Sequence, residues 1–206
     1  DEIDKTKKDK YIQNLLTINK QIKQIENLVN EFSDFARMPK PVFKNNNLNE
    51  ILNSNIDLLK KMDQDINFNI SKIIKKEDLI IFCDYEQISR TLFNLLKNSV
   101  ESIQEKAKKT NNFNKIIDVE IVKGNDYITI KIKDNGVGFS NNTTKDLVKP
   151  YFTTKEKGTG LGLSIVNKII NDHNGSINFE TIKDGAKIEV NLPIENNVNW
   201  NSNNWW

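Results

Sequence analysis

From about Tyr11 to Arg37 the chain contains no Gly or Pro, and its apolar residues fall at Tyr11, Leu15, Ile18, Ile22, Ile25, Val29, Phe32 and Ala36. Steps of four and three alternate, so the pattern predicts one long helix with a narrow apolar seam that must pack on other helices. A dimerising coiled-coil or bundle helix fits this seam, and so does a core-packing helix within one domain. Met38-Pro39-Lys40-Pro41 ends the helix, because proline cannot continue it and pushes its predecessor toward extended backbone.

Beyond Asn45-Asn46-Asn47 the periodicity is mixed. Helices are predicted at about 48–62, 85–108 and 161–173, and strands at about 66–71 and 79–83. Asp84 reads as the N-cap of the helix 85–108, with Gln87 completing a capping box. Two alternating segments, Ile116–Val122 and Tyr127–Lys133, flank Gly124-Asn125-Asp126 as a hairpin, and Ser176–Thr181 and Lys187–Leu192 flank the turn Lys183-Asp184-Gly185. The expected fold class is α+β, a mixed sheet layered with three helices and preceded by the long helix. The expected division is 1–40 for the long helix, 41–195 for the sandwich, and 196–206 for a frayed or appended tail holding all three tryptophans among asparagines.

Composition narrows the classes. Thirty Lys+Arg against twenty-eight Asp+Glu leave a formal +2 with no long basic run, so no nucleic-acid partner is expected. With 37% apolar and 28% charged residues, this is the composition of a globular protein with a polar surface. The single Cys83, in the apolar run Leu79–Phe82, cannot form an internal disulfide and reads as a small buried hydrophobe, which also excludes a cysteine-based metal cluster. No apolar run is long enough to span a bilayer, so no membrane contact by this chain is expected.

Three local signals carry chemistry. Asn94 and Asn98, four apart on the helix 85–108, share a face, while Leu92, Leu95, Leu96 and Val100 bury the flank. An amide oxygen suits Mg²⁺ when phosphate and water complete the shell; surface or capping asparagines would give the same spacing. Asp134-Asn135-Gly136-Val137-Gly138-Phe139 follows a strand directly, and its carboxylate can accept from an exocyclic amine such as that of adenine while the glycines admit a flat ring. A plain turn would look similar. Pro150-Tyr151-Phe152-Thr153-Thr154-Lys155-Glu156-Lys157-Gly158-Thr159-Gly160-Leu161-Gly162-Leu163 runs a basic loop into a helix N-terminus, where exposed N–H groups and the helix dipole favour phosphate. Its Gly-x-Gly-x-Gly spacing is neither the dinucleotide fingerprint nor a Walker loop.

These residues resemble the ATP-binding domain of sensor histidine kinases, in the superfamily shared with DNA gyrase, MutL and the 90-kDa heat-shock chaperone. Asn94 to Glu101 resembles the family's N box, Asp134-Gly136-Gly138 its G1 box, Pro150–Lys155 its F box and Gly158–Gly162 its G2 box, in the family's order over about residues 48–194. The resemblance implies a Bergerat fold with ATP and Mg²⁺ as cofactors: Asn94 and Asn98 as the catalytic pair, Asn98 on the metal, and Asp134 reading adenine. It also implies nucleotide contacts from Gly136, Gly138, Phe152, Thr153, Thr154, Lys155, Gly158, Thr159, Gly160, Leu161 and Gly162, with 140–160 as a lid. Lys155 and Lys157 are candidate phosphate contacts, though solvated loop lysines would look the same.

Glu31-Phe32-Ser33-Asp34-Phe35-Ala36-Arg37-Met38-Pro39-Lys40-Pro41 resembles the end of the second dimerisation helix in NtrY-type nitrogen-regulation kinases. This implies a homodimer through helix 11–38, a first helix upstream of Asp1, a response-regulator receiver domain as partner, and a cytoplasmic location within a membrane-anchored parent protein. Two departures bear on activity. The acceptor histidine belongs to that first helix, whereas the one histidine here, His173, stands before Asn174-Gly175 at a helix C-terminus and reads as structural, its side chain suited to the dipole and Gly175 supplying a left-handed cap. Hydrolytic relatives place a basic Glu four residues before the metal-binding Asn, where this chain has Asn94, which cannot take up a proton at neutral pH. Glu101 replaces a lysine that some histidine kinases place near the phosphate, and it is left out of the expected site. Transfer of the ATP γ-phosphoryl group to a histidine outside this sequence is the leading reading; the alternatives are a non-catalytic dimerising ATP-binding module and an anti-sigma-type serine kinase.

Overall fold

The computed structural model describes residues 2–72, 79–139, 144–155 and 158–194. The expected tail 196–206, Lys157 and part of the expected lid lie outside the described residues. The chain opens with α1 (Glu2–Ala36), ending just before the two prolines and reaching further toward the N-terminus than the apolar seam. Then follow β1 (Lys44–Asn47), α2 (Leu48–Lys60), β2 (Asn67–Lys72), β3 (Ile80–Cys83), α3 (Tyr85–Ala107), β4 (Ile116–Lys123) and β5 (Tyr127–Asp134). A short α4 (Thr144–Leu147), α5 (Gly162–Asp172), β6 (Ser176–Ile182) and β7 (Gly185–Pro193) complete it.

The main sheet has the order β2-β4-β5-β7-β6, with β2 parallel to β4 and every other pair antiparallel. The mixed sheet expected is therefore present. Alternation along its strands sends Ile117, Val119, Ile121, Ile128, Ile130, Ile132, Ile188, Val190 and Leu192 into the core, each at most 2% exposed. The opposite face carries ion pairs such as Lys131–Glu120 at 3.1 Å and Lys187–Glu189 at 3.4 Å, which suits a sheet covered on one side only. α2, α3 and α5 form the covering layer, with α3 between the other two. Its Leu92, Leu95, Leu96, Val100 and Ile103 are at most 1% exposed, each contributing about 1.5–3 kcal/mol of burial. Cys83 is likewise buried, and loss of solvent pushes its thiol up to about 11 against the lowering hydrogen bond from Asn46, so it packs rather than reacts.

Three local expectations need correction. β1 forms in the asparagine run, where no strand is expected, because the edge of β3 offers it an antiparallel partner, Asn46 facing Ile81. The capping box is half formed: Asp84 Oδ1 accepts from Gln87 N at 3.0 Å, but the Gln87 amide turns away and donates to Pro39 O at 3.0 Å. The reciprocal donor, Asp84 N, instead gives its hydrogen to His173 Nε2 at 3.0 Å. After α5 the left-handed residue is Asn174, φ 55°, not Gly175. The N–H groups of Asn174 and Gly175 return to Asn171 O and Ile170 O at 2.9 Å each, a Schellman arrangement. Gly175 is required for space, since a Cβ there would lie 2.4 Å from Asn191 O.

His173 is structural, for a different reason than attraction to the dipole. It is 1% exposed, and burial holds its pKa below the usual histidine value, so it stands neutral. Nδ1 donates to Ile169 O at 2.8 Å and Nε2 accepts from Asp84, which joins the end of α5 to the start of α3. Asp84 Oδ2 also accepts from Val42 N at 2.7 Å, so the segment leaving α1 is tied to the same junction.

Candidate functional site

The central helix α3 assembles the candidate site. Along one side it presents Asn94, Asn98, Ser99, Glu101 and Ser102, while its apolar side is fixed in the core. These residues meet three segments of the chain: Asn94 the start of α5, Asn98 and Glu101 the loop at Lys155, and Ser99 and Ser102 the turn after β5.

Asn94 spends its amide nitrogen on Arg90 O, 2.9 Å away, one turn back. Its Oδ1 faces the N-terminus of α5, where a Cβ on Gly162 would lie 3.4 Å from it. Asn98 Oδ1 accepts from Lys155 Nζ at 2.9 Å. The same ammonium is paired with Glu101 Oε2, and Lys97 stands 3.9 Å from Glu101 Oε1. Sequence reasoning left Glu101 out; the structure brings it beside Asn98, three residues on along α3. Its partner Lys155 is 54 residues away in the chain, which is why local spacing did not reveal the contact.

Asp134 ends β5 and is 3% exposed. Burial raises its carboxyl pKa, opposed by the backbone N–H groups of Gly136 and Ala186, the Ser99 hydroxyl and the more distant Lys106. Oδ1 accepts from Gly136 N at 2.9 Å. Ser99 Oγ lies near enough to influence this carboxylate but outside hydrogen-bond geometry, and it is buried without a partner. An orphaned hydroxyl beside a buried carboxylate is the kind of polar surface that a ligand amine completes.

Gly136 fits because a Cβ would lie 2.2 Å from Ser102 Oγ, and the Ser102 hydroxyl in turn accepts from Val137 N at 3.0 Å. Gly138 has φ 76° and lies against the Gly185 carbonyl. Lys106 fastens the turn from the other side, donating to Asn135 O at 2.9 Å.

In the glycine loop, Phe152 packs on the core rather than standing free, and Thr154 is exposed. Thr153 Oγ1 accepts from Lys155 N at 3.1 Å and leaves no room for a side chain at Gly158. Gly160, φ 72°, passes so close to Tyr151 that a Cβ would lie 2.4 Å from its carbonyl carbon. The Thr159 hydroxyl donates to Glu31 of α1, a contact that nothing in the local sequence announces. Leu161 is fully buried and caps α5 without a side-chain bond, so the first N–H groups of that helix have no side chain of the cap competing for them. A separate cavity of about 310 Å³ lies between Phe35, Pro150, Asn167 and Asp172 and is lined by none of the candidate site residues.

Residues 83–196 match the family described as histidine kinase-, DNA gyrase B-, and HSP90-like ATPase. The chain belongs to this family. The match begins at the end of β3 and takes in α3, Asp134 and the glycine loop. Among its relatives, the nitrogen regulation protein NtrY of Azorhizobium caulinodans is 34% identical over 179 residues, covering 87% of this chain and 23% of the relative. Sporulation kinase E of Bacillus subtilis is 30% identical over 187 residues, covering 88% of this chain and 24% of the relative. The chain thus spans about a quarter of the length of these relatives. The catalytic domain of the histidine kinase ThkA superposes with a TM-score of 0.64 at 28% identity, over 74% of this chain and 96% of that one. ThkA in its complex with the response regulator TrrA gives 0.70 at 24% identity, over 86% and 49%, a likeness of fold. Within the family the chain carries an ATP-binding domain of the NtrY-like histidine-kinase type, with the expected α+β fold.

The donor set fits the Mg²⁺ that such a domain implies. Asn98 Oδ1 and Glu101 Oε2 are hard oxygen donors that already share one cation, the Lys155 ammonium.

Proposed function

We propose that this chain is the ATP-binding catalytic part of a two-component sensor histidine kinase, which transfers the γ-phosphoryl group of Mg²⁺-bound ATP to a histidine outside this sequence. The P–O bond to ADP breaks, a P–N bond to the imidazole forms, and the phosphoryl group then passes to an aspartate of a response-regulator receiver domain. The observation that carries this reading is the convergence of Asn94, Asn98, Asp134, the glycine loop and Lys155 on α3. In this arrangement Asp134 accepts from the adenine amine, Gly136 and Gly138 let the ring approach, and the N–H groups at the start of α5 face the phosphates. Asn94 and Asn98 orient the phosphate–metal unit, so the contribution to catalysis is positioning and charge neutralisation. Thr153 and Phe152 shape the loop, and Thr154 is open to the nucleotide.

His173 does not serve as acceptor, because both ring nitrogens are engaged and the ring is buried. Asn94 at the position of a hydrolytic base argues for phosphoryl transfer over rapid hydrolysis. Residues 1–40 are read as the second helix of a dimerisation hairpin and 41–195 as the catalytic domain. Seam residues Tyr11, Leu15, Ile18, Ile22, Ile25, Val29 and Phe32 are 48–69% exposed, and Ile12, Leu16 and Leu28 widen the stripe beyond a two-stranded seam, which supports a four-helix core in a homodimer. No helix among the described residues is long and apolar enough to cross a membrane; a cytoplasmic position in a membrane-anchored parent is the placement that fits an NtrY-like kinase.

Titration with ATP and GTP tests the reading first: Mg²⁺-dependent binding with preference for adenine is expected. With γ-labelled ATP the chain alone should remain unlabelled, and a fragment carrying the upstream acceptor helix should be phosphorylated, a transfer lost in Asn98→Ala and retained in His173→Asn. Equal affinity for GTP would remove the adenine contact, and label on His173 would overturn its structural role.

A further inference from the structure

We infer that Glu101 is a positioning residue of the nucleotide site, the resting counter-ion of Lys155, and that Mg²⁺–nucleotide binding exchanges one cation for another at Asn98 and Glu101. The inference rests on the nucleotide reading above. In the ligand-free chain the Lys155 ammonium lies between Asn98 Oδ1, at 2.9 Å, and Glu101 Oε2, so it occupies the place proposed for the metal. Its side chain is 38% exposed and that of Glu101 is 35% exposed, so the pair opens to solvent and can part. Lys97, the other cation facing Glu101, is only at 3.9 Å and belongs to the same helix, so it cannot follow a ligand into the loop. Lys155 sits on the loop that carries Thr153 and Gly158.

Two consequences follow from the charges. Without a divalent ion, the phosphates of ATP meet the Glu101 carboxylate and must draw Lys155 away from it, leaving that carboxylate uncompensated. With Mg²⁺, the ion becomes the counter-charge of Glu101 and releases the ammonium to the phosphates. Glu101 thereby makes nucleotide affinity depend on the metal, beyond the metal's own attraction for phosphate.

The test is calorimetric titration of the chain with ATP, once in excess Mg²⁺ and once in EDTA, for wild type, Glu101→Gln and Glu105→Gln. Glu105 makes the same charge change one turn further along α3, where it pairs with Lys109 at 3.2 Å. The ratio of the two dissociation constants is expected to shrink about tenfold in Glu101→Gln, mainly through tighter binding in EDTA, and to stay within about twofold of wild type in Glu105→Gln. A ratio within about twofold of wild type in Glu101→Gln overturns the inference, as does an equal change in both variants. Wild type that binds no ATP in either buffer overturns the nucleotide reading and this inference with it. Wild type that binds ATP while Glu101→Gln leaves the ratio unmoved sinks the inference alone.

Discussion

α1 and α3 are both long amphipathic helices whose apolar positions recur with helical spacing, yet they end in opposite environments. On α3, Leu92, Leu95, Leu96, Val100 and Ile103 are at most 1% exposed, while the seven seam residues of α1 from Tyr11 to Phe32 keep about half or more of their surface in water. Apolar periodicity says that a face must be covered and says nothing about what covers it. For α3 the cover is the sheet and its two neighbouring helices; among the described residues α1 meets the body near its C-terminal end, through Phe35 and the Glu31–Thr159 contact, with Met38 packing just beyond it. The difference also bears on the proposed site. Polar side chains can be held at ligand distance only on a helix whose other face is immobile, and that helix is α3.

The largest effect should come from truncating the covered face. Leu95→Ala is expected to lower stability by about 2–5 kcal/mol in urea unfolding. Ile22→Asp, on the exposed seam, should change the unfolding free energy of the monomeric chain by less than about 0.5 kcal/mol and should weaken its self-association in sedimentation. A loss in Ile22→Asp comparable to that in Leu95→Ala would mean that α1 packs into the body, and the contrast between the two helices would collapse.

The same contrast explains what was legible beforehand. The three covering helices, both hairpins and the order of the site motifs follow from local patterns, because apolar periodicity and turn residues act within a few positions. β1 was hidden, since Lys44-Asn45-Asn46-Asn47 has poor strand propensity and pairs only because β3 offers an edge. At the site, Asn94, Asn98, Asp134 and the glycines announce themselves by type and spacing. Ser102 stands four residues beyond Asn98, on the face that helical geometry alone could have marked, whereas Ser99 turns toward the buried side of α3 and its approach to Asp134 has no local signal. Glu101 and Glu31 could not be assigned this way, because their partners Lys155 and Thr159 come from a loop 54 and 128 residues away.

Asp134 sharpens the separation between stability and function within the α3 layer. Its pKa is raised by burial, so in the folded chain the neutral form is favoured relative to the unfolded one. The sign is fixed by linkage: the contribution to stability is greatest below the unfolded value of 3.8 and is lost as pH rises through the folded value, so at neutral pH the charged carboxylate is a cost. Asp134→Asn should therefore leave stability at neutral pH unchanged or raised, while ATP affinity falls at least about tenfold, because the single amide oxygen cannot accept from both Gly136 N and the adenine amine. Wild-type ATP affinity in this variant would remove Asp134 from the adenine contact; a large stability loss would show that the charge is structural.

The smallest effect probes the junction where the segment leaving α1, the start of α3 and the end of α5 meet. His173 has its pKa lowered mainly by burial, opposed by its bond to Ile169 and by the charges of Asp84 and Asp172. Neutral His173 accepts the Asp84 N–H at Nε2, and protonation would turn that acceptor into a second donor facing a donor. Because the folded value lies below the unfolded 6.5, this stabilisation is complete above 6.5 and is lost as pH falls from there through the folded value. No other histidine exists to titrate in that window, and Asp134, whose raised pKa acts with the opposite sign, is removed by working in the Asp134→Asn background. Urea midpoints between pH 8 and pH 5 should fall in that background and fall less once His173→Asn is added. A decline of the same size with and without His173 would mean that other groups carry the acid sensitivity, and that the bond between α5 and α3 holds whether or not the ring is charged.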